Sequence, residues 1–235
     1  MRVFVAGGSG VLGRRVTPGL VARGHTVVAT TRHPARSARI RAAGGEAVVV
    51  DAFDAEALRT AVLDAHPEVV VHLLTDLALP PGVPLDDTRL AANARLREVG
   101  TVNLLEAATA AGARRVVVQS IGWLYAPGPE PHDESDPLLP VDGKPTRRAV
   151  HELERRSLAD PRFDGLVLRF GRLWGPDTWD LERPSAPVVH VDDAAAATVL
   201  AVERGAPGIY HVAEDGGPIS CERAKRELGW TAAER

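Results

Sequence analysis

Residues 2–16 read RVFVAGGSGVLGRRV, and this stretch decides the fold that the sequence predicts. A short apolar run leads into four glycines within seven residues, and the segment after them has helical spacing. Gly7, Gly10 and Gly13 form a G-x-x-G-x-x-G pattern between that strand and that helix. Because side chains are missing there, the backbone and the helix N-terminus can approach a pyrophosphate. The stretch therefore predicts a dinucleotide-binding turn.

The rest of the chain alternates between predicted strands and predicted helices. Valine-rich runs that are apolar on both faces, as in parallel strands covered by helices, lie at 3–6, 26–30, 46–50, 68–74, 114–120 and 165–170. Segments with helical spacing lie at 11–23, 36–43, 55–65, 89–111 and 147–158. This order predicts the α/β class with a Rossmann-type doubly wound parallel sheet, and a ligand crevice at the carboxyl ends of the strands. The Pro-rich stretches 77–87 and 125–140 follow strands and are interpreted as loops over that crevice.

Composition narrows the class of partner. The formal net charge is -3, so the chain lacks the basic excess of nucleic-acid and membrane-surface binders, and we expect a small-molecule substrate. Cys221 is the single cysteine, which excludes an internal disulfide and a cysteine-based metal cluster. We predict no metal site. No signal-peptide pattern and no apolar run of about 18 residues is present, so we expect a cytoplasmic protein.

The end of the second strand indicates which dinucleotide is bound. An NAD site commonly has a carboxylate there for the ribose 2′-hydroxyl, but this chain has Thr31 at that point and Arg32 directly after it. A guanidinium suits a 2′-phosphate. The sequence therefore favours NADP(H) over NAD(H).

Five further segments carry a family resemblance: VVVDAFD (48–54), VVHLLT (70–75), GTVNLLEAATAAGARRVVVQS (100–120), LRFGRLWGP (168–176) and VVHVDDAAAATVLAV (188–202). With the glycine loop, their order and spacing resemble the extended, epimerase/dehydratase-like branch of the short-chain dehydrogenase/reductase superfamily. The resemblance implies that Asp51 and Ala52 contact adenine and that Leu73 and Leu74 lie under the cofactor. The full set of cofactor contacts expected from the loop, the second strand and the resemblance is Gly7, Gly10, Val11, Leu12, Gly13, Arg32, Asp51, Ala52, Leu73, Leu74, Thr75 and Phe170.

The acid/base pair of that family is missing. Its members use Tyr-x-x-x-Lys on the helix after the fifth strand, whereas Tyr125 and Tyr210 are the only tyrosines here and neither has a lysine four residues on. The helix segment GKPTRRAVHELERRSL (143–158) can be aligned in two ways. If Glu154 matches the family's helix glutamate, Thr146 and Val150 take the positions of the pair. If Glu152 matches, Lys144 and Arg148 take them.

Other catalytic candidates come from the end of the fifth strand, VVQSIGWLYAP. Matching Tyr125 to the family's S-S-x-x-V-Y-G puts Ile121 at the catalytic serine, and a slip of one residue puts Ser120 there. Tyr125 is expected just above the crevice. The candidates for proton transfer or oxyanion stabilisation are Tyr125, Ser120, Thr146 and Arg148. Arg97 stands where the family has an asparagine.

The C-terminal part is expected to be small. Residues 1–170 are predicted to form the NAD(P)-binding Rossmann domain, and 171–235 a reduced substrate-binding part packed on it. The resemblance implies a longer lid than the 177–187 segment provides. Asp192 and Asp193 are expected to cap a helix that begins at Ala194. The resemblance also implies a homodimer that pairs through 89–111 and 147–158.

These observations leave two functions open. The first is an NADP-dependent reductase or epimerase of a small, ring-bearing metabolite that uses unusual proton-transfer groups. The second is a protein of the same fold without redox catalysis, either a regulatory binder or a non-redox cyclase or isomerase.

Overall fold

A computed structural model describes residues 1–77, 83 and 85–234 of the chain. These residues form nine strands: β1 (Arg2–Ala6), β2 (Thr26–Thr31), β3 (Glu46–Val49), β4 (Val69–His72), β5 (Arg115–Ile121), β6 (Asp164–Phe170), β7 (Arg172–Trp174), β8 (Val188–His190) and β9 (Gly208–Val212). They form seven α-helices: α1 (Gly13–Ala22), α2 (Ser37–Ala42), α3 (Ala55–Ala65), α4 (Asp87–Arg95), α5 (Thr101–Ala110), α6 (Pro145–Ala159) and α7 (Val191–Glu203). Among the described residues, no helix combines the length and the apolar character needed to span a bilayer.

The predicted α/β fold and parallel sheet are confirmed. Seven strands form one sheet in the order β3-β2-β1-β4-β5-β6-β9, and every pairing in it is parallel. Because successive side chains of a strand point to opposite faces, Val3 and Val5 of β1 belong to one core cluster while Phe4 and Ala6 belong to the other. The strand order reverses between β1 and β4, which opens the crevice at their carboxyl ends.

The predicted helix 89–111 is interrupted in the structure. It consists of α4, a π-helical turn at 96–100 and α5, in direct succession. Asp86 caps α4 by accepting a hydrogen bond from the Arg89 N–H at 2.8 Å. π-Helical turns are rare and occur often at functional sites, because the extra residue redirects the side chains around it.

The C-terminal part differs from its prediction in two respects. Strand β9 was missed, and it pairs with β6, so residues beyond 170 complete the main sheet. Helix α7 begins at Val191 and not at Ala194, and its N-cap is His190, whose ring accepts from the Asp192 N–H at 3.3 Å. The expectation that Asp192 and Asp193 cap the helix is therefore wrong, because both already lie within its first turn.

A close contact between α6 and β6 gives a test of the packing. Gly165 in β6 lies so near the last turn of α6 that a Cβ there would stand 1.8 Å from the Ser157 carbonyl oxygen. Overpacking costs about 1–3 kcal/mol, so we expect Gly165→Ala to lower the free energy of unfolding by about that amount or more. Urea titration would measure it.

The matched control is Gly217→Ala, because a Cβ at Gly217 meets its nearest neighbour, the Ala186 Cβ, at an ordinary 3.4 Å. We expect this variant to unfold within about 0.5 kcal/mol of the unmodified protein. Equal stability of the two variants would contradict the packing described here.

Candidate functional site

A cleft of about 650 Å³ opens at the carboxyl ends of the strands, where the crevice was predicted. The glycine loop after β1 forms one wall, and the end of β2 forms the next. The start of α6 and residues 170–173 and 178–180 close the opposite side. Its volume lies within the range of sites that enclose small ligands and cofactors.

The glycine loop leaves room that side chains would fill. Gly7 has φ +92°, and a Cβ on it would stand 2.8 Å from the Leu73 carbonyl oxygen. A Cβ on Gly13 would stand 2.3 Å from the Gly7 carbonyl oxygen, so α1 can begin only because this residue is glycine. A Cβ on Gly10 would meet the Gly7 oxygen alone, at 3.2 Å, and otherwise faces the cleft. This cradle fits the pyrophosphate of a dinucleotide.

The structure brings together every sequence-predicted cofactor contact. The residues that line the cleft include Gly7, Gly10, Val11, Leu12, Gly13, Arg32, Asp51, Ala52, Leu73, Leu74, Thr75 and Phe170. The predicted contacts thus share one site, while the contact that each makes with a cofactor stays a prediction.

The end of β2 carries hydroxyl and cationic groups at the point where many NAD sites have a carboxylate. The Thr31 hydroxyl accepts a hydrogen bond from the Ser9 hydroxyl at 2.9 Å, which ties this strand end to the glycine loop. The half-exposed Arg32 donates to Asp76 at 2.6 Å, and Arg36 also lines the cleft.

Helix α6 favours one of the two alignments left open above. Thr146 lines the cleft, and Val150 one turn later is fully buried. Lys144 does not line the cleft, and Arg148 is exposed and donates to Glu98 at 2.7 Å. The reason is the helical period: a shift of two residues turns a side chain to the opposite face of the helix. The alignment through Glu154 therefore agrees with the structure, and Arg148 lies away from the cleft.

Glu154 links the helix to the two strands beneath it. Its carboxylate accepts from the Ser120 hydroxyl at 2.6 Å and from Arg169 at 3.0 and 2.7 Å. Glu154, Ser120 and Arg169 are all buried. Ser120 and Ile121 both line the cleft, but the Ser120 proton is committed to Glu154, so this hydroxyl can only accept from a ligand.

Tyr125 is not where the sequence placed it. Trp123 and Leu124 line the cleft, whereas Tyr125 does not. Its hydroxyl contacts Arg169 and His211, and its ring stacks on His132 with 4.8 Å between ring centroids. Burial raises the pKa of Tyr125 to about 12, which makes the phenol a weaker acid than usual. The expected position above the crevice is corrected, because these partners hold the side chain away from the residues that line the cleft, and its catalytic role stays a prediction.

Two buried polar residues are among the cleft residues that the sequence did not predict as site residues. Asn93 and Arg97 line the cleft and are buried, and they lie four residues apart across the junction of α4 and the π-helical turn. The family resemblance singled out Arg97 only as the residue that stands at the position of the family's asparagine. The i, i+4 spacing of two polar residues within a mostly apolar helix face was the available signal.

Comparisons with known proteins agree with this architecture. A family model described as "Epimerase: NAD dependent epimerase/dehydratase family" matches residues 3–186. A "3-diazoavenalumate denitrifying reductase" from Streptomyces sp is 44% identical over 239 residues, covering 92% of this chain and 76% of that protein. A "4-hydroxy-2-methyl-3-oxo-4-farnesyl-3,4-dihydroquinoline-1-oxide ketoreductase" from Stigmatella aurantiaca is 30% identical over 241 residues, covering 93% of this chain and 70% of that one.

Solved structures share the fold at lower identity. UDP-glucose 4-epimerase of Thermotoga maritima, solved with UDP-glucose, superposes with a TM-score of 0.83 at 18% identity, covering 100% of this chain and 94% of that one. The enzyme WbmH of Bordetella bronchiseptica, solved with NAD+, gives a TM-score of 0.70 at 22% identity, covering 90% and 75%.

The glycine loop generates a prediction for dinucleotide binding. We expect Gly10→Val to abolish NADPH binding while the fold is retained, because the new side chain projects into the space left for phosphate. Calorimetric titration measures binding, and thermal unfolding serves as the control for the fold. Unchanged NADPH affinity in a folded variant would show that the loop is only a turn.

Proposed function

Because the chain belongs to the NAD dependent epimerase/dehydratase family and is an NAD(P)-dependent oxidoreductase or epimerase, we propose that it is a reductase that needs no protonating side chain. The single observation that carries this proposal is the make-up of the cleft. The chain has two tyrosines, Tyr125 and Tyr210, and two lysines, Lys144 and Lys225, and none of the four lines it. The glycine loop predicted to bind the dinucleotide lines the same cleft, with Gly7, Gly10 and Gly13 all present.

The missing acid restricts the chemistry. Reduction of a carbonyl leaves an alkoxide that must gain a proton, and a positioned general acid typically contributes about 10²- to 10⁴-fold to such a step. The two hydroxyls proposed from the sequence are poor donors: Ser120 already donates to Glu154, and Thr146 is an aliphatic alcohol. A reduction whose leaving group departs as a neutral molecule requires no proton at all.

Loss of dinitrogen from an aryl diazo compound is such a reaction. A bound reduced nicotinamide supplies a hydride. The hydride forms the new C–H bond at the ring carbon, the C–N bond breaks, and its electron pair leaves with N₂, so an arenediazonium cation becomes an arene. The name of the 44% identical relative, a denitrifying reductase of a diazo carboxylate, supports this substrate class. We propose that the chain acts on a small aryl diazo acid.

The chain's own residues contribute orientation and exclusion of water. Trp123, Leu124, Leu173 and Trp179 form apolar walls, together with the buried Phe170 at the end of β6. Apolar side chains around the ring would limit attack of water on a diazonium group, which would yield a phenol instead of the arene. The short segment between β7 and β8 gives less cover for a nucleotide sugar than for a single ring. The homodimer and the cytoplasmic location stay predictions.

Hydride transfer tests the proposed function directly. Purified protein is mixed with NADPH and 3-diazonio-4-hydroxycinnamate bearing ¹⁵N at the terminal nitrogen, and we expect NADPH oxidation with release of labelled N₂. Deuterium at C4 of the nicotinamide should appear on the ring carbon that lost nitrogen. Gly10→Val protein measures the uncatalysed background. Oxidation of NADPH by ketones but not by the diazo acid would overturn the diazo proposal, and no oxidation with either would favour binding without redox catalysis.

Two further variants separate this proposal from acid catalysis. We expect Thr146→Ala and Tyr125→Phe each to reduce the rate by less than about tenfold, because no proton is transferred. Tyr125→Phe should lower the melting temperature, since Arg169 and His211 lose a buried partner. A loss of about 10² in rate for either variant would identify that hydroxyl as the proton donor.

Preference for NADPH is the cofactor part of the proposal. The Arg32–Asp76 pair is exposed, and such pairs contribute about 0–1 kcal/mol, so a 2′-phosphate can compete for the guanidinium. Arg36 adds a second cation nearby. We expect NADPH to bind at least about tenfold tighter than NADH, and Arg32→Ala to lose about 1–3 kcal/mol of that difference.

Calorimetric titration with both cofactors measures the preference. The matched control is Arg39→Ala, which removes an exposed arginine of α2 that does not line the cleft. Equal affinities of the unmodified protein for NADPH and NADH would refute the preference.

A further inference from the structure

Arg97 occupies an unusual position for a charged residue. It lies in the π-helical turn between α4 and α5, is 2% exposed and lines the cleft. Among the residues that the structure describes, its guanidinium has no hydrogen-bond acceptor and no ion-pair partner within 4 Å. Burial lowers the pKa of Arg97 to about 10, opposed by the more distant charge of Glu154, so the group stays a cation at neutral pH.

Glu154 is not available as a partner. Its first carboxylate oxygen accepts from Ser120 and Arg169, and its second accepts from Arg169. Because both oxygens are used, Arg97 has the charge of Glu154 only at longer range and has no direct partner. A buried charge without a direct partner is unfavourable unless a ligand of opposite charge reaches it.

The guanidinium opens onto the cleft. In the described part of the chain, the fully buried side-chain polar atoms that lack a partner are Thr17 Oγ1 and Ser37 Oγ, and no nitrogen of Arg97 is among them. The small exposed area of Arg97 therefore includes its nitrogens, at the cleft wall.

Asn93 supplies a second donor at the same place. It lies four residues before Arg97, is 3% exposed and lines the cleft. Its Oδ1 accepts from the Asp76 N–H at 2.9 Å, which fixes the amide so that Nδ2 is the free end. No described residue accepts from that Nδ2. A guanidinium and an amide N–H₂ one helical turn apart match the two oxygens of a carboxylate.

The surroundings indicate what carries the carboxylate. Leu74, Leu90, Leu96, Trp123 and Leu124 line the cleft with Arg97. These apolar and aromatic side chains suit a flat, unsaturated body, and the two donors suit an anionic end on it. A guanidinium also repels a diazonium group, so it would fix which end of a diazo acid lies against α4.

We propose that Arg97 and the Nδ2 of Asn93 bind the carboxylate of an apolar, unsaturated acid, and that they thereby determine the substrate class and its orientation. The inference deepens the proposed function and rests on it for the molecule reduced, but binding of the acid can be measured without any reaction. The glycine loop is predicted to hold the dinucleotide phosphates, so Arg97 and Asn93 are proposed for the substrate.

The test compares an acid with its uncharged ester. Cinnamate and methyl cinnamate are titrated calorimetrically into protein saturated with NADP+, and we expect the acid to bind at least about tenfold tighter. In Arg97→Met the acid should lose at least about tenfold in affinity, while the ester changes by less than about threefold. Asn93→Asp keeps the acceptor for the Asp76 N–H but puts a carboxylate beside Arg97, so it should also abolish the selectivity.

Two controls separate binding from structure. Arg89→Met removes an exposed arginine of α4 outside the cleft and should leave both affinities unchanged. Arg97→Met should retain or raise the melting temperature, because it removes a buried charge without breaking an ion pair. A lowered melting temperature would show a structural role for Arg97 and would overturn the proposal.

Binding and turnover distinguish the failure of this inference from the failure of the proposed function. Equal affinities for acid and ester in the unmodified protein, no binding of either, or selectivity retained in Arg97→Met would overturn the carboxylate site. Weaker NADP+ binding by Arg97→Met would assign the arginine to the cofactor and would overturn it as well. Acid-selective binding that depends on Arg97, without release of N₂ from any diazo acid, would support the site and refute the diazo reaction.

Discussion

The carboxylate of Glu154 is the contact on which the arrangement of the site depends. It joins three elements, because it belongs to α6 and accepts hydrogen bonds from Ser120 of β5 and Arg169 of β6. A helix held in this way has its rotation about its own axis fixed. Thr146 then faces the cleft, Val150 is buried, and Arg148 points outward to Glu98. The residues that this rotation places on the inner face are thus a threonine and a valine, and not a tyrosine and a lysine.

The same contact explains the charge balance beneath the cleft. Two buried guanidiniums, those of Arg97 and Arg169, lie near one buried carboxylate. Arg169 takes both of its oxygens, so the charge of Arg97 acts on the cleft and on its neighbours. Burial and then the charge of Arg97 lower the pKa of His72 to about 4, which keeps that imidazole neutral. His72 is in turn within hydrogen-bond distance of Thr101, with 2.8 Å between Nε2 and Oγ1, so it serves the packing of β4 on α5.

Local sequence signals predicted the sheet and the glycine loop, because strand period and glycine spacing are properties of neighbouring residues, while the family resemblance supplied further lining residues such as Asp51 and Leu73. The phase of α6 could not be settled in that way. Residues 152 and 154 are both glutamates, so the sequence alone did not show which of them faces the sheet. Only the contacts of Glu154 with β5 and β6 distinguish the two. Tyr125 was misplaced for a similar reason, since Arg169 and His211, which hold it, come from distant parts of the chain. Strand β9 was missed because Tyr210 and His211 interrupt its apolar pattern, although both are buried.

A site with a buried cation that has no direct partner, and with no tyrosine or lysine among its lining residues, has a consistent physical logic. A proton donor must meet a matched pKa and a close approach to the reacting atom, and Thr146 offers neither strength nor a partner that would activate it. A binding cation needs only burial and a free face, which Arg97 has. Interactions with the anionic end of a substrate can position the reacting carbon, and positioning alone can supply roughly 7–11 kcal/mol of the barrier. A reaction that needs no proton can therefore proceed in this cleft with orientation of the substrate as the protein's contribution. The substrate would have to carry the carboxylate that serves as the anionic partner of Arg97.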